Sequence, residues 1–333
     1  MRRTARLHVG DAIETLEGLP AGHARTCVCS PPYWGLRDYG VDGQLGLEAT
    51  PDEYVTRLVE VFREVRRVLA EDGTLWLNLG DTYSDGGAGP PSESSTLSGN
   101  GHDGGGPKLH QTDSVERRAP GLDSKQLVGI PWRVALALQD DGWYLRSDII
   151  WHKPNPMPES VTDRPTSSHE HIFLLSKSKQ YYYDDEAIRE DAPEREGRSG
   201  SFVRDNPKGS DGTQPGKSCA SHRQDRDDTA YGGSRNKRDV WTVSTKPYPE
   251  AHFAVYPPDL IEPCIEAGSA GGDTVLDPFA GAGTTGLVAL AKGRNFTGID
   301  LNREYVEMAA DRIRQDAPLA NEVEIMQAQQ CAV

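Results

Sequence analysis

The chain has 333 residues, of which 36% are hydrophobic, enough to bury a core of enzyme size in one large domain or one domain carrying an insertion. Its 51 acidic against 36 basic residues give a formal net charge of −15, which argues against non-specific clinging to DNA phosphates. No stretch approaches the roughly 18 to 20 apolar residues of a membrane span, and the first residues lack the apolar core of a signal peptide, so a cytoplasmic, nucleoid-associated protein is expected.

The five cysteines, Cys27, Cys29, Cys219, Cys264 and Cys331, are scattered, indicating neither a zinc site nor a disulfide framework. No metal is expected. Acidic composition suits a salt-rich cytosol, while the arginine content fits genome base composition equally well. Positive charge gathers between about residues 186 and 246, where Arg189, Arg195, Arg198, Arg204, Lys208, Lys217, Arg223, Arg226, Arg235, Lys237 and Arg238 lie. A polyanion, if bound, is expected there.

In chain order, the opening segment reads as a strand ending at Gly10-Asp11, a short helix, and a strand through Cys27 and Cys29. It runs into Ser30-Pro31-Pro32-Tyr33-Trp34. Apolar positions Tyr54, Leu58, Val61, Phe62, Val65, Val68 and Leu69 share one helical face, predicting a helix over 51–69 that ends at Asp72-Gly73. A buried strand over 74–79 follows. Residues 84–124, rich in Gly, Ser and Pro, read as a long flexible insertion.

Further on, helices are expected over 131–139, 257–267, 284–291 and 304–315, and strands over 144–151, 171–175, 274–276 and 295–299. This alternation predicts an α/β fold, a doubly wound and mostly parallel sheet whose ligands sit beyond the carboxyl ends of the strands. Two unusual loops occupy such ends.

The first is Asp277-Pro278-Phe279-Ala280-Gly281-Ala282-Gly283-Thr284-Thr285-Gly286. Its glycines let backbone approach a ligand closely, but a GxGxxG spacing alone is weak support for a dinucleotide. No Lys follows, as a phosphate-binding loop requires. Asp277 would repel a pyrophosphate and suit a cationic ligand, while Asp300 is placed to accept both hydroxyls of a ribose. A sulfonium cofactor fits better than NAD.

The second loop, Ser30 to Tyr33, is stiffened by two prolines. An aromatic amino nitrogen is a poor nucleophile because its lone pair is conjugated. A rigid hydroxyl and a backbone carbonyl that accept its two N–H bonds favour the pyramidal form, and Tyr33 offers a stacking face. Taken alone, this loop could equally be a structural proline turn.

Together the two loops resemble those of the amino-methylating DNA methyltransferases, and their order, catalytic loop first, resembles the beta class of that family. Further matching segments are Gly10-Asp11, the strand leading to Asp81, residues 149–155, 169–176 and 248–261. The resemblance implies a class I S-adenosylmethionine-dependent methyltransferase fold with circularly permuted motif order. It divides the chain into a catalytic half (1–183), a target-recognition segment (184–246) and a cofactor half (247–333).

By the same resemblance Ser30, Pro31, Pro32 and Tyr33 are catalytic, and Asp277, Phe279, Gly281, Gly283 and Thr284 hold the methionine part of S-adenosylmethionine. Asp300 takes its ribose, and Asp11 with Ala12 its adenine region. Tyr33, Trp34 and Arg37 face DNA. The target nucleotide would leave a double-stranded DNA substrate by base flipping. Ser in the first loop position resembles the cytosine-N4 group, with adenine N6 as the alternative. A non-catalytic nucleic-acid binder and a dehydrogenase are the rivals from other classes. A cognate restriction endonuclease is a candidate partner, and monomer and homodimer both stay open.

Other features have plainer readings. Pro263-Cys264 resembles a nucleophile dipeptide but sits in an apparent helix, where a buried thiol is expected. His152, His169 and His171 are expected to serve structure or the mouth of the site. Tyr181-Tyr182-Tyr183 could stack on bases or simply end a strand.

Overall fold

Alternating buried positions build the central sheet of the computed structural model, which describes residues 3–36, 38–84, 119–191, 234–245, 256–318 and 321–327. In chain order the elements open with β1 (Arg3–Val9), α1 (Ala12–Glu17), β2 (Ala24–Cys29), α2 (Pro51–Val68) and β3 (Leu69–Leu79). There follow α3 (Ile130–Asp140), β4 (Tyr144–His152), β5 (His169–Ser176), β6 (Glu190–Asp191), β7 (Ser234–Arg235) and β8 (Val240–Thr242). The chain then forms α4 (Pro258–Gly268), β9 (Thr274–Asp277), α5 (Thr284–Ala291), β10 (Asn295–Asp300), α6 (Arg303–Asp316) and β11 (Asn321–Gln327).

The nine-stranded sheet has the order β11-β1-β10-β9-β2-β3-β5-β4-β8. Its pairings are parallel except those of β5, which runs against both β3 and β4. Side-chain alternation sends successive residues to opposite faces. Cys27, Cys29, Leu75, Leu77, Phe173 and Leu175 pack with α1, α2 and α3. Val28, Trp76, Ile172, Leu174 and Val275 pack with α4, α5 and α6. Helices thus cover both faces, as the α/β alternation predicts.

Three boundaries differ from the sequence expectation. The helix over 51–69 stops at Val68, and β3 begins at Leu69 rather than after Asp72-Gly73. Pairing with β2 jumps from Ala24↔Leu69 to Thr26↔Thr74, so the Asp72-Gly73 step is an irregularity inside the strand rather than a helix end. Of the expected insertion 84–124, residues 85–118 lie outside the described residues. Its two ends are packed structure: Ser84 and Ala119 are buried, and Lys125 donates its amide to the Ser84 carbonyl at 2.7 Å.

Of the expected recognition segment 184–246, residues 192–233 and 246 lie outside the described residues, and with them Arg195, Arg198, Arg204, Lys208, Lys217, Arg223 and Arg226. The described part is tied to the catalytic half. β8 pairs with β4 and buries Trp241 among the residues beneath α4. Its positive charge is largely consumed locally, because Arg235 and Arg238 both bond Glu190, at 2.7 and 2.6 Å, and Arg189 pairs with Asp185.

Candidate active site

Strand register assembles the site. Thr26 and Cys27 of β2 lie beside Val275 and Leu276 of β9, so Ser30 and the Asp277 loop leave adjacent strands at the same edge. Gly298 of β10 is level with Asp277, and Val9 of β1 is level with Asp300. Four carboxyl ends therefore meet at the point where the chain turns outward from the sheet centre in both directions. A cavity of about 720 Å³ opens there, within the roughly 300–1000 Å³ of small-molecule sites.

Ser30, Pro31, Pro32, Tyr33, Asp11, Ala12, Phe279, Gly281, Thr284 and Asp300 all line this cavity. The proline loop is braced from behind: Tyr54 of α2 donates its hydroxyl to the Pro32 carbonyl at 2.8 Å, and Gly35 donates its amide to Gly46 at 2.8 Å. Gly46 has a φ of +96°, and a Cβ there would stand 2.9 Å from the Tyr33 carbonyl, so only glycine lets this return segment lie against the loop.

Asp300 accepts the Gly281 amide at 2.8 Å through one oxygen and the Asn302 amide at 2.8 Å through the other. Burial pushes its carboxyl up to about 6, the two amide bonds opposing the shift. Asp11 is the N-cap of α1 and accepts from Ile13 at 2.8 Å and Glu14 at 3.1 Å. Thr284 receives Arg312 at 3.0 Å, and the Phe279 ring packs edge-on to Phe62.

Two residues expected to touch the methionine part are placed elsewhere. Asp277, 1% exposed, turns away from the cavity: it accepts from the Phe279 amide at 3.0 Å, the Thr285 hydroxyl at 2.5 Å and the Tyr256 hydroxyl at 3.2 Å. Burial pushes its carboxyl up to about 7, against these hydrogen bonds. It holds the loop in shape. Gly283 caps α5 with a φ of +74°, and a Cβ on it would meet the Ala309 Cβ at 2.7 Å, so it serves the close contact with α6.

Trp34 is also relocated. Expected at the DNA side, it is 3% exposed and donates its indole N–H to the Glu48 carbonyl at 2.9 Å, because the chain folds back over it through residues 40–48. Arg37 lies outside the described residues. His152 contacts Thr242, His171 bonds Asp148 at 2.9 Å, and among the described residues no group of potential ligands could hold a metal ion. Burial raises the Cys264 thiol, which sits inside α4. The tyrosine run packs at strand ends: Arg146 lies over Tyr181, Arg25 over Tyr182, and Tyr183 stacks on Trp76.

Sequence reasoning missed a polar cluster behind Tyr33. The Tyr33 hydroxyl donates to Glu170 Oε2 at 2.8 Å and receives the Ser30 hydroxyl at 3.2 Å. Asn78 Nδ2 donates to the same Glu170 oxygen at 3.1 Å, and Lys153 bonds the other. Lys153 and Glu170 are only 19% and 16% exposed. The one available signal was a glutamate inside the apolar run of β5, since its partners come from β3 and the end of β4.

The sequence profile of the DNA methylase family matches residues 24–311. The chain is 47% identical over 315 residues to the type II methyltransferase M.XycI of Xanthomonas campestris pv. cyanopsidis, covering 94% of this chain and 88% of that protein. It is 46% identical over 313 residues to M.Cfr9I of Citrobacter freundii, covering 93% and 88%. Two solved structures share the fold. A DNA modification methylase of Thermus thermophilus, TTHA0409, complexed with S-adenosyl-L-methionine, superposes with a TM-score of 0.59 at 22% identity, covering 99% of each chain. PvuII DNA methyltransferase, cytosine-N4-specific, gives 0.60 at 16% identity, covering 97% of each.

Proposed function

Because the chain belongs to the DNA methylase family and is an enzyme that methylates DNA, we propose that it transfers a methyl group from S-adenosylmethionine to N4 of a cytosine flipped out of double-stranded DNA. The observation that carries this reading is the junction of two half-sites in one cavity, Asp300 and the Gly281 loop on one side and Ser30 with Tyr33 on the other.

S-adenosylmethionine fits the residues present. Asp300 is a cavity-lining carboxylate whose oxygens each hold one backbone amide and retain capacity for ribose hydroxyls. Phe279, Ala280 and Gly281 line the methionine side, and Asp11, Ala12, Asn302 and Tyr305 the adenine side. When bound, the sulfonium supplies an activated methyl group. The protein's own task is then to hold an amine in line with it.

Ser30, on a loop fixed by two prolines and by Tyr54, accepts an amino N–H and directs the nitrogen lone pair toward the cofactor side of the cavity. Tyr33 presents its ring to the base. Because the two loops leave neighbouring strands, this alignment needs no large movement of either. Serine in the first position of the loop favours cytosine N4 over adenine N6, and the relatives' type II character supports site-specific methylation beside a cognate restriction endonuclease.

Mass spectrometry of nucleosides from unmethylated DNA incubated with protein and S-adenosylmethionine, at low and at multimolar salt, tests the reading, and sequencing of the product maps the site. N4-methylcytosine that disappears with Ser30→Ala is the expected result. N6-methyladenine alone would replace the base, and no methylated base at either salt would overturn the proposal.

A further inference from the structure

Resting on the methyl-transfer reading of this cavity, we infer that Glu170, anchored by Lys153, is a specificity-determining residue that acts through Tyr33 to make Ser30 an acceptor only, so that the target pocket takes an amino group and refuses a carbonyl.

A serine hydroxyl is by itself indifferent, since it donates one hydrogen bond and accepts two. Nothing in the Ser30 loop alone chooses between an amine and a carbonyl. The choice is made one layer behind it. Glu170 Oε2 can only accept, and it takes the Tyr33 proton at 2.8 Å. The Tyr33 oxygen is then free to receive the Ser30 proton at 3.2 Å. With its hydrogen committed backward, Ser30 shows lone pairs to the cavity that it lines.

The direction of the chain is fixed at its far end. Asn78 Nδ2 donates to both Glu170 Oε2 and the His171 carbonyl, 3.1 Å each, so its amide cannot turn over without losing both bonds. Lys153 donates to Oε1. Every neighbour of the Glu170 carboxylate is therefore a donor, and reversing the chain would place Tyr33 against a group with no proton to give. Burial together with the Glu170 charge raises the Tyr33 hydroxyl well above its ordinary value, keeping its proton in place for this role.

The consequence is discrimination. Cytosine and adenine present an amino group where uracil and hypoxanthine present a carbonyl oxygen. Against the wild-type site the carbonyl sets lone pair against lone pair, whereas the amine makes a bond.

The test is equilibrium binding, in the presence of S-adenosylhomocysteine, of two duplexes carrying the mapped site. One holds the normal target base, the other its carbonyl counterpart, each opposite an abasic site so that opening costs are matched. The wild type is expected to prefer the amine about tenfold or more. In Tyr33→Phe and Glu170→Met the preference should fall to about twofold, since Ser30 can then turn its hydrogen to a carbonyl. Glu170→Gln, whose amide oxygen can still accept from Tyr33, should keep it. Equal binding by the wild type, or an unchanged preference in Tyr33→Phe, would overturn the inference. Should Glu170→Met fail to fold, as its circular dichroism would show, Tyr33→Phe against the wild type decides alone. Absence of any methylated base would fell the parent reading instead, a separate result.

Discussion

Asp300 and Gly281 are joined by a 2.8 Å hydrogen bond from the glycine amide to the carboxylate, so one side chain both shapes the glycine loop and faces the cavity. The second oxygen makes the same kind of bond to Asn302. A ribose would meet a carboxylate that is already aimed.

The first expected outcome follows from its raised carboxyl. The ionised form is the better acceptor of hydroxyl hydrogens, and it is lost as pH falls through about 6. Calorimetric affinity for S-adenosylmethionine should therefore hold between pH 7 and 8 and weaken below 6, by up to about tenfold per unit. Asp300→Asn should bind on the order of ten- to a hundredfold more weakly at pH 8 and show a flat profile. Parallel profiles for the two proteins would remove Asp300 from the ribose.

Asp277 makes the second case, with the opposite reading for stability. Its folded carboxyl, at about 7, lies above the ordinary carboxylate range, so the folded state holds this proton more tightly than the unfolded chain. The associated stability is full below about pH 4 and is lost as pH rises through about 7. In urea titrations Asp277→Asn, which carries no such charge, should gain on the wild type between pH 6 and 8. A constant difference across that window would show that the carboxylate is not destabilised by its burial.

Trp34 separates a packing role from a DNA contact. At 3% exposure with a satisfied indole N–H, its replacement by Ala should cost about 3–5 kcal/mol of folding stability. Trp34→Phe should cost less, about 1–2 kcal/mol, and leave DNA affinity of the folded protein within about twofold. Loss of DNA affinity in Trp34→Phe without loss of stability would return the residue to the interface.

Gly80 controls the Tyr33 ring. A Cβ there would stand 2.7 Å from Tyr33 Cε2, so Gly80→Ala must push the ring or the backbone aside. Methylation should fall at least about tenfold while cofactor affinity stays within about twofold, with a stability loss of about 1–3 kcal/mol. Equal losses of both functions would indicate a general collapse of the cavity.

Much of the fold was legible because it is written in local periodicity. The apolar face of α2, from Tyr54 to Val68, and the span of α5 over 284–291 follow from spacing, as do the buried strands. What misled was chemistry that local sequence does not resolve. Asp72-Gly73 looks like a helix end, yet Leu69 is already extended because its side chain belongs beneath the sheet. β11 was not foreseen at all: its alternation in 321–327 is weak, and its place beside β1 depends on pairing across the whole length of the chain.

The sequence by itself determined the two loops, since prolines and glycines constrain backbone wherever they occur, and it determined which strand ends would carry them. Only the tertiary structure decided which way each side chain in those loops points. Asp277 and Trp34 turned inward because buried donors and apolar walls from distant segments claimed them. Glu170 and Lys153 turned toward Tyr33 because β5 runs antiparallel between β3 and β4, and a register between strands about a hundred residues apart leaves no mark in either strand alone.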